Sequence, residues 1–281
     1  MIIDGKQTAK NNELLLKEKV DSLYNKFGRV PSLTVILVGE EPASMAYVTS
    51  KKKACERVGI KASIERLDSS ISEDELIKII SRLNNDDSVD GILVQLPLPK
   101  HMNETVVLNT VSPNKDVDGL HTINAGKLFS KQPGIRPATP LGIMMLLETY
   151  QIPIEGKHAV IVGRSNLVGM PIGKLLLDQN ASVTFVHSKT KNMKELTLQA
   201  DILVVAIGKA NYIDDSYVKE GSVVIDVGIN RVLGKLVGDV DFNKVVDKAS
   251  FITPVPGGVG PMTISALLFN VIKQYEAKYD R

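Results

Sequence analysis

The amino-acid sequence predicts an α/β protein of two domains, the second a Rossmann-like parallel sheet, and three observations carry that expectation. Short runs rich in Val and Ile alternate with amphipathic segments along the chain, the pattern of parallel strands covered by helices on both faces. A cluster of Pro133, Gly134, Pro137 and Pro140 breaks the periodicity near the middle. A length of 281 residues, 43% of them apolar, supplies enough hydrophobic material for two cores of ordinary size.

Taken in order, the first half predicts strands at 33–38, 62–67 and 91–95, with helices near 43–58, 72–84 and 104–110. No element is assigned before residue 33. A helix at 141–150 follows the proline cluster and is expected to bridge the domains. Beyond it come strands at 159–162, 182–186, 202–206 and 223–226, with a helix after Gly169. At the end, Ile264, Leu267, Leu268, Val271, Ile272 and Tyr275 recur at helical spacing, which puts Pro261 near a first helical position, where its missing N–H costs nothing. The segment 253–263 in front of that helix holds three prolines and three glycines. Fixed φ at proline and positive φ at glycine make a stiff loop whose backbone can approach a flat ligand closely.

Charge and composition exclude several classes. A formal net charge of +2, with no basic block interleaved with aromatics, speaks against a nucleic-acid surface. No apolar run approaches membrane-spanning length and the N-terminus turns charged within four residues, so a cytoplasmic location is expected. The single cysteine, Cys55, excludes an intrachain disulfide and reads as a small buried hydrophobe. Four scattered histidines give no metal-ligand spacing, and no metal is expected.

Two regions carry chemistry. After the strand at 159–162, Gly163-Arg164-Ser165 and then Gly169 form a strand–loop–helix junction that resembles an altered dinucleotide fingerprint. The glycines allow a tight turn and close packing, and a helix N-terminus offers free N–H groups to a phosphate; a plain βα turn is the alternative. The next strand runs into His187-Ser188-Lys189, with no carboxylate for ribose hydroxyls. With Arg164 it offers cations and a hydroxyl where a 2′-phosphate would lie, which favours NADP over NAD. In the first domain, Tyr47 and Lys51 stand at i,i+4 on a helix and can meet one ligand. The alternative is an exposed pair beside the lysine run 51–53. Gln95 ends an apolar strand just before Leu96-Pro97, and Asp118 lies in a loop beside Asp116. Asp116 and Asp118 could also be read as a metal-binding pair, a minor alternative without further ligands.

These residues resemble one family along nearly the whole chain: the bifunctional methylenetetrahydrofolate dehydrogenase/methenyltetrahydrofolate cyclohydrolases. The resemblance rests on 47–54 followed by Gly59-Ile60, on 91–97, on 116–119, on Gly163-Arg164-Ser165 with Val168, Gly169 and Pro171, and on 254–263, in family order. A departure falls at 208–211, where the family commonly has proline soon after the glycine. The resemblance implies that Lys51 is the general acid/base, Tyr47 positions the pterin and its carbon, Gln95 orients Lys51, and Asp118 holds the pterin ring. Val94, Leu96, Pro256, Gly257, Gly258, Val259, Gly260 and Pro261 would join them in binding folate. Gly163, Arg164, Ser165, Ser188 and Ile229 would contact NADP. It further implies a folate-binding domain at 1–140 completed by a helix at 262–281, an NADP-binding domain at 141–261, and a ligand cleft between them. A homodimer serving one-carbon metabolism and purine biosynthesis is also implied. The competing readings are another two-domain NADP dehydrogenase, acting on shikimate or an amino acid, and a catalytically silent NADP-binding sensor.

Overall fold

The computed structural model describes residues 1–279, and the chain divides into two compact units. A three-stranded unit comprises Asn11–Ala138 and the chain from Ile264 onward; a five-stranded unit comprises Met1–Lys10 and Thr139–Thr263. Up to residue 138 the chain order is α1 (Gly5–Phe27), β1 (Ser32–Val38), α2 (Pro42–Val58), β2 (Lys61–Leu67), α3 (Glu73–Asn85), β3 (Gly91–Val94), α4 (Glu104–Thr110) and α5 (Thr122–Phe129). It continues with α6 (Ala138–Thr149), β4 (His158–Val162), α7 (Gly169–Asp178), β5 (Ser182–Val186), α8 (Met193–Thr197), β6 (Ile202–Val205) and β7 (Val223–Asp226). The hairpin β8 (Asn230–Val232) and β9 (Lys235–Val237), then α9 (Phe242–Val245), β10 (Phe251–Ile252) and α10 (Val259–Tyr279), complete it.

In the three-stranded unit all pairings are parallel and the order is β2-β1-β3. Every residue of β1 and β3 is buried, as continuous apolar runs demand, whereas β2 alternates exposed and half-buried positions as an edge strand. The core gathers Ile36, Val38, Ile92 and Val94 against Leu76 and Ile80 of α3 and Val107 of α4. Each such side chain contributes roughly 1.5–3 kcal/mol by leaving water. Because β1 connects to β2 on one side and pairs with β3 on the other, the carboxyl ends of β1 and β3 form a topological switch point. Helix α10 is tied into this unit by Tyr275, whose hydroxyl donates to the Arg29 carbonyl at 2.6 Å, while Arg29 itself grips the buried Asp90 with two bonds of 2.7 and 2.8 Å.

The five-stranded unit has the order β10-β7-β6-β4-β5, also all parallel, the Rossmann-like sheet expected. Its switch point lies at the carboxyl ends of β4 and β6. Buried Val, Ile and Ala from β4, β6 and β7 fill both faces of the sheet, on one side with Ile143, Leu146, Ile172 and Met262, on the other with Val218 and Val245.

The structure departs from the expected boundaries in places. Met1–Lys10 belongs with the five-stranded unit instead of opening the first domain, because the Ile3 N–H donates to Ile252 O at 2.8 Å, the Ile252 N–H donates to Met1 O at 3.0 Å and the Lys6 N–H donates to Gly257 O at 2.9 Å. Helix α10 begins at Val259, so Pro261 occupies its third residue, still within the first turn where no N–H partner is needed. Helix α6 likewise begins at Ala138 and takes Pro140 into its first turn. Among the described residues no helix is long and apolar enough to cross a membrane.

Candidate active site

Helix α2 sets the first site. Pro42 opens it, the Glu41 side chain accepts the Ser44 N–H at 2.6 Å, and Gly59 closes it at φ 84°. Its buried stripe is Ser44, Val48, Lys51, Ala54, Cys55 and Val58, so a lysine stands at a core position, with only 4% of its surface exposed. That outcome removes the alternative of a solvated lysine pair. Lys51 Nζ donates to Gln95 Oε1 at 3.0 Å and lies 4.5 Å from the centre of the Tyr47 ring. Gln95 follows β3 at the switch point; its N–H donates to Ile36 O at 2.9 Å, and its Nε2 donates to Leu96 O at 2.7 Å, which turns Oε1 toward the lysine.

Burial lowers the Lys51 pKa from the ordinary lysine value, opposed by the attraction of Asp118. Burial also raises the Asp118 pKa, opposed by Lys51 and reinforced by Asp116. Each group is thus pushed toward neutrality by desolvation and held back by the other. Asp116 has a different task. Its Oδ1 accepts the N–H groups of Gly119 and Leu120, and its Oδ2 accepts those of His121 and the Asn124 side chain. It knots the loop, leaving Asp118 to face Lys51. Cys55 is fully buried with its thiol pushed up to about 12, an inert hydrophobe as expected. Among the described residues no group of three or more His, Cys, Asp or Glu could hold a metal ion.

Sequence reasoning missed Asn270 on α10. It is fully buried, and its Nδ2 donates to the carbonyls of Val117 and Arg136, both at 2.9 Å. Thus α10 holds the residue preceding Asp118. A lone asparagine in the apolar stripe of the last helix was the available signal.

The second site lies on the five-stranded unit. Gly163, at the end of β4, has φ 125°, and a Cβ there would fall 2.3 Å from Ala206 O. Only glycine fits that turn. A Cβ at Gly169 would meet Gly163 O at 2.6 Å, so the first turn of α7 packs directly on the loop. Ser165 Oγ accepts the Val168 N–H at 3.2 Å, while Arg164 and Ser165 are exposed. At the end of β5, a tight turn closed by the Thr190 N–H on His187 O at 2.8 Å leaves Ser188 and Lys189 exposed. Ile229, beyond β7, is 61% exposed. Glycine turns, a helix N-terminus and exposed cations at a sheet's carboxyl edge fit a dinucleotide carrying an extra phosphate. The loop residues 256–261 belong to this unit, whereas Tyr47, Lys51, Val94, Gln95, Leu96 and Asp118 belong to the other.

A parallel-sheet unit with a dinucleotide turn, together with a unit holding a buried lysine at its switch point, defines a nicotinamide-dependent enzyme. Comparison with known proteins narrows the class. Residues 3–118 match the catalytic-domain model of tetrahydrofolate dehydrogenase/cyclohydrolase, and residues 137–279 match the NAD(P)-binding-domain model of the same name. The chain is 55% identical over 268 residues to the bifunctional protein FolD of Streptococcus uberis, covering 95% of this chain and 94% of the relative. The crystal structure of the bifunctional enzyme FolD from Campylobacter jejuni superposes with a TM-score of 0.97 at 50% identity, covering 99% of each chain. The Trypanosoma brucei methylenetetrahydrofolate dehydrogenase-cyclohydrolase, solved with NADP and an inhibitor, gives 0.96 at 35% identity, covering 100% of this chain and 99% of that one. The chain belongs to the tetrahydrofolate dehydrogenase/cyclohydrolase family, and it is an enzyme of that family with an NAD(P)-binding domain.

Proposed function

We propose that the chain oxidises 5,10-methylenetetrahydrofolate to 5,10-methenyltetrahydrofolate with NADP+ and hydrolyses that product to 10-formyltetrahydrofolate. The observation that carries the reading is the buried Lys51, bonded to Gln95, stacked on Tyr47 and electrostatically paired with Asp118. Bound NADP+ supplies the hydride acceptor, and the first step needs chiefly alignment, because the ring nitrogens stabilise the cationic product. Tyr47 and Asp118 would fix the pterin, with Val94 and Leu96 beside them completing its binding on this unit.

The second step needs a base. Water adds to the methenyl carbon and gives one proton to the neutral Lys51 amine; that proton passes on to N5 as the bond from the carbon to N5 breaks, and the remaining hydroxyl proton leaves to solvent as the formyl C=O forms on N10. A lysine whose pKa burial already lowers, and which a cationic ligand lowers further, suits that transfer. A silent NADP-binding sensor would gain nothing from a buried lysine that costs it stability. One coupled assay with methylenetetrahydrofolate and NADP+, followed to 10-formyltetrahydrofolate, tests the assignment.

Arg164, Ser188 and Lys189 support a preference for NADP over NAD. Arg164→Ala should narrow the ratio of kcat/KM values by about tenfold, one exposed charge–phosphate contact. Equal turnover of NAD by the unaltered protein would refute the preference. The homodimer rests on the family resemblance, and light scattering on the eluted protein tests it.

A further inference from the structure

The strongest unexplained feature is a pair of buried carboxylates beside the cofactor turn. Asp226 is 3% exposed and Asp239 is 0% exposed. Asp239 accepts the N–H groups of Ile207 and Gly208 on Oδ2, at 2.7 and 2.8 Å, and those of Lys209 and the Asn230 side chain on Oδ1, at 2.8 and 2.9 Å. Asp226 in turn accepts the N–H groups of Gly228 and of Asp239 itself on Oδ1, and that of Val240 on Oδ2, each at 2.9 Å. These bonds come from main-chain and amide dipoles. Burial accordingly pushes the Asp226 carboxyl up to about 6 even against three such donors.

Two glycines make room for the pair. A Cβ at Gly228 would fall 2.3 Å from the carboxyl carbon of Asp239, and a Cβ at Gly238 would fall 1.7 Å from Asp226 Oδ2. Desolvating two acids is costly, so the arrangement calls for a reason beyond holding the sheet together. Five of its bonds reach the loops that leave the carboxyl ends of β6 and β7, and the other two seat the main chain of Asp239 and Val240 on Asp226. Gly228 and Asn230 are clamped on either side of Ile229, which fixes an exposed isoleucine in space. The loop after β6 carries Ala206 O, the atom against which the Gly163 turn is seated.

We infer that Asp239, seated on Asp226, is a positioning residue for the dinucleotide, setting the loops 206–209 and 227–230 against the Gly163 turn and holding Ile229 toward the cofactor. The inference rests on the reading of Gly163, Arg164 and Ile229 as cofactor contacts. The two activities provide the discrimination, since hydrolysis of added methenyltetrahydrofolate needs no NADP.

Asp239→Asn keeps the shape but turns an NH2 group toward donors. It should raise the KM for NADP+ by about 10- to 100-fold, as small displacements of positioning groups do. The KM for methylenetetrahydrofolate and the cyclohydrolase turnover should stay within about twofold, since neither depends on these loops. Asn230→Ala removes one donor from a partly exposed position and should raise the NADP+ KM by roughly threefold without lowering the thermal midpoint. That variant decides the matter if Asp239→Asn does not fold. Arg164→Ala reports on the cofactor site itself. If Arg164→Ala raises the NADP+ KM and the folded Asp239 and Asn230 variants do not, the positioning role is wrong and the site stands. If none of the three moves it, both readings fall; parallel loss of both activities also overturns the inference.

Discussion

Lys51→Met lowers cyclohydrolase turnover by about 100- to 10,000-fold, the span for a lost general acid/base, equivalent to roughly 3–5 kcal/mol in the barrier. Methionine keeps the length of the lysine stem and removes the amine that touches Gln95 and Tyr47. Dehydrogenase activity falls less, because hydride transfer depends on alignment, and methenyltetrahydrofolate accumulates as a visible product. Folding is not at risk: the lysine pays a burial penalty that methionine does not, so the thermal midpoint should hold or rise. A folded variant that hydrolyses methenyltetrahydrofolate at the parent rate would reduce Lys51 to a structural residue. The pH profile of the parent has a definite sign. Since the neutral amine is the base, hydrolysis rises as pH increases through the lowered pKa of Lys51, earlier than an ordinary lysine would allow.

The strands buried on both faces, β1, β3, β4, β6 and β7, were legible in the sequence as runs rich in Val and Ile, and the more exposed β2 and β5 were legible too, as short segments bounded by turns. Helix α1 escaped for the opposite reason. Lysines, asparagines and glutamates interrupt its apolar positions, Leu14 and Leu15 point to solvent, and its buried residues are Gly5, Thr8, Ala9, Val20 and Leu23, too sparse a set to mark a helical stripe. The hairpin β8–β9 is too short and exposed for alternation to mark it. In the site, Tyr47 and Lys51 were legible from their spacing, but whether the lysine was solvated was not. Burial depends on α2 packing against β1 and β2 and on Gln95 arriving beside it from the end of β3, a tertiary fact. The same holds for Asn270, Asp226 and Asp239, whose tasks depend on which loops the fold brings to them.

Asp118→Ala weakens folate binding by about 1.5–3 kcal/mol, the loss of a charge-assisted hydrogen bond, which is roughly 10- to 150-fold in Kd. The loop should survive the change. Asp116 holds it with four bonds, Asn270 fixes the Val117 carbonyl, and the bond from the Ala138 N–H to residue 118 is made by the main chain at 3.2 Å. Calorimetry should therefore show weaker folate and unchanged NADP binding. Asp118→Asn adds a second readout. Asp118 raises the Lys51 pKa by attraction, so the neutral amide removes that support and the pKa falls further. The rising limb of the cyclohydrolase pH profile then moves to lower pH, whatever happens to affinity. An unchanged folate Kd in Asp118→Ala would remove the carboxylate from pterin recognition, while an unmoved pH limb in Asp118→Asn would sever it from Lys51.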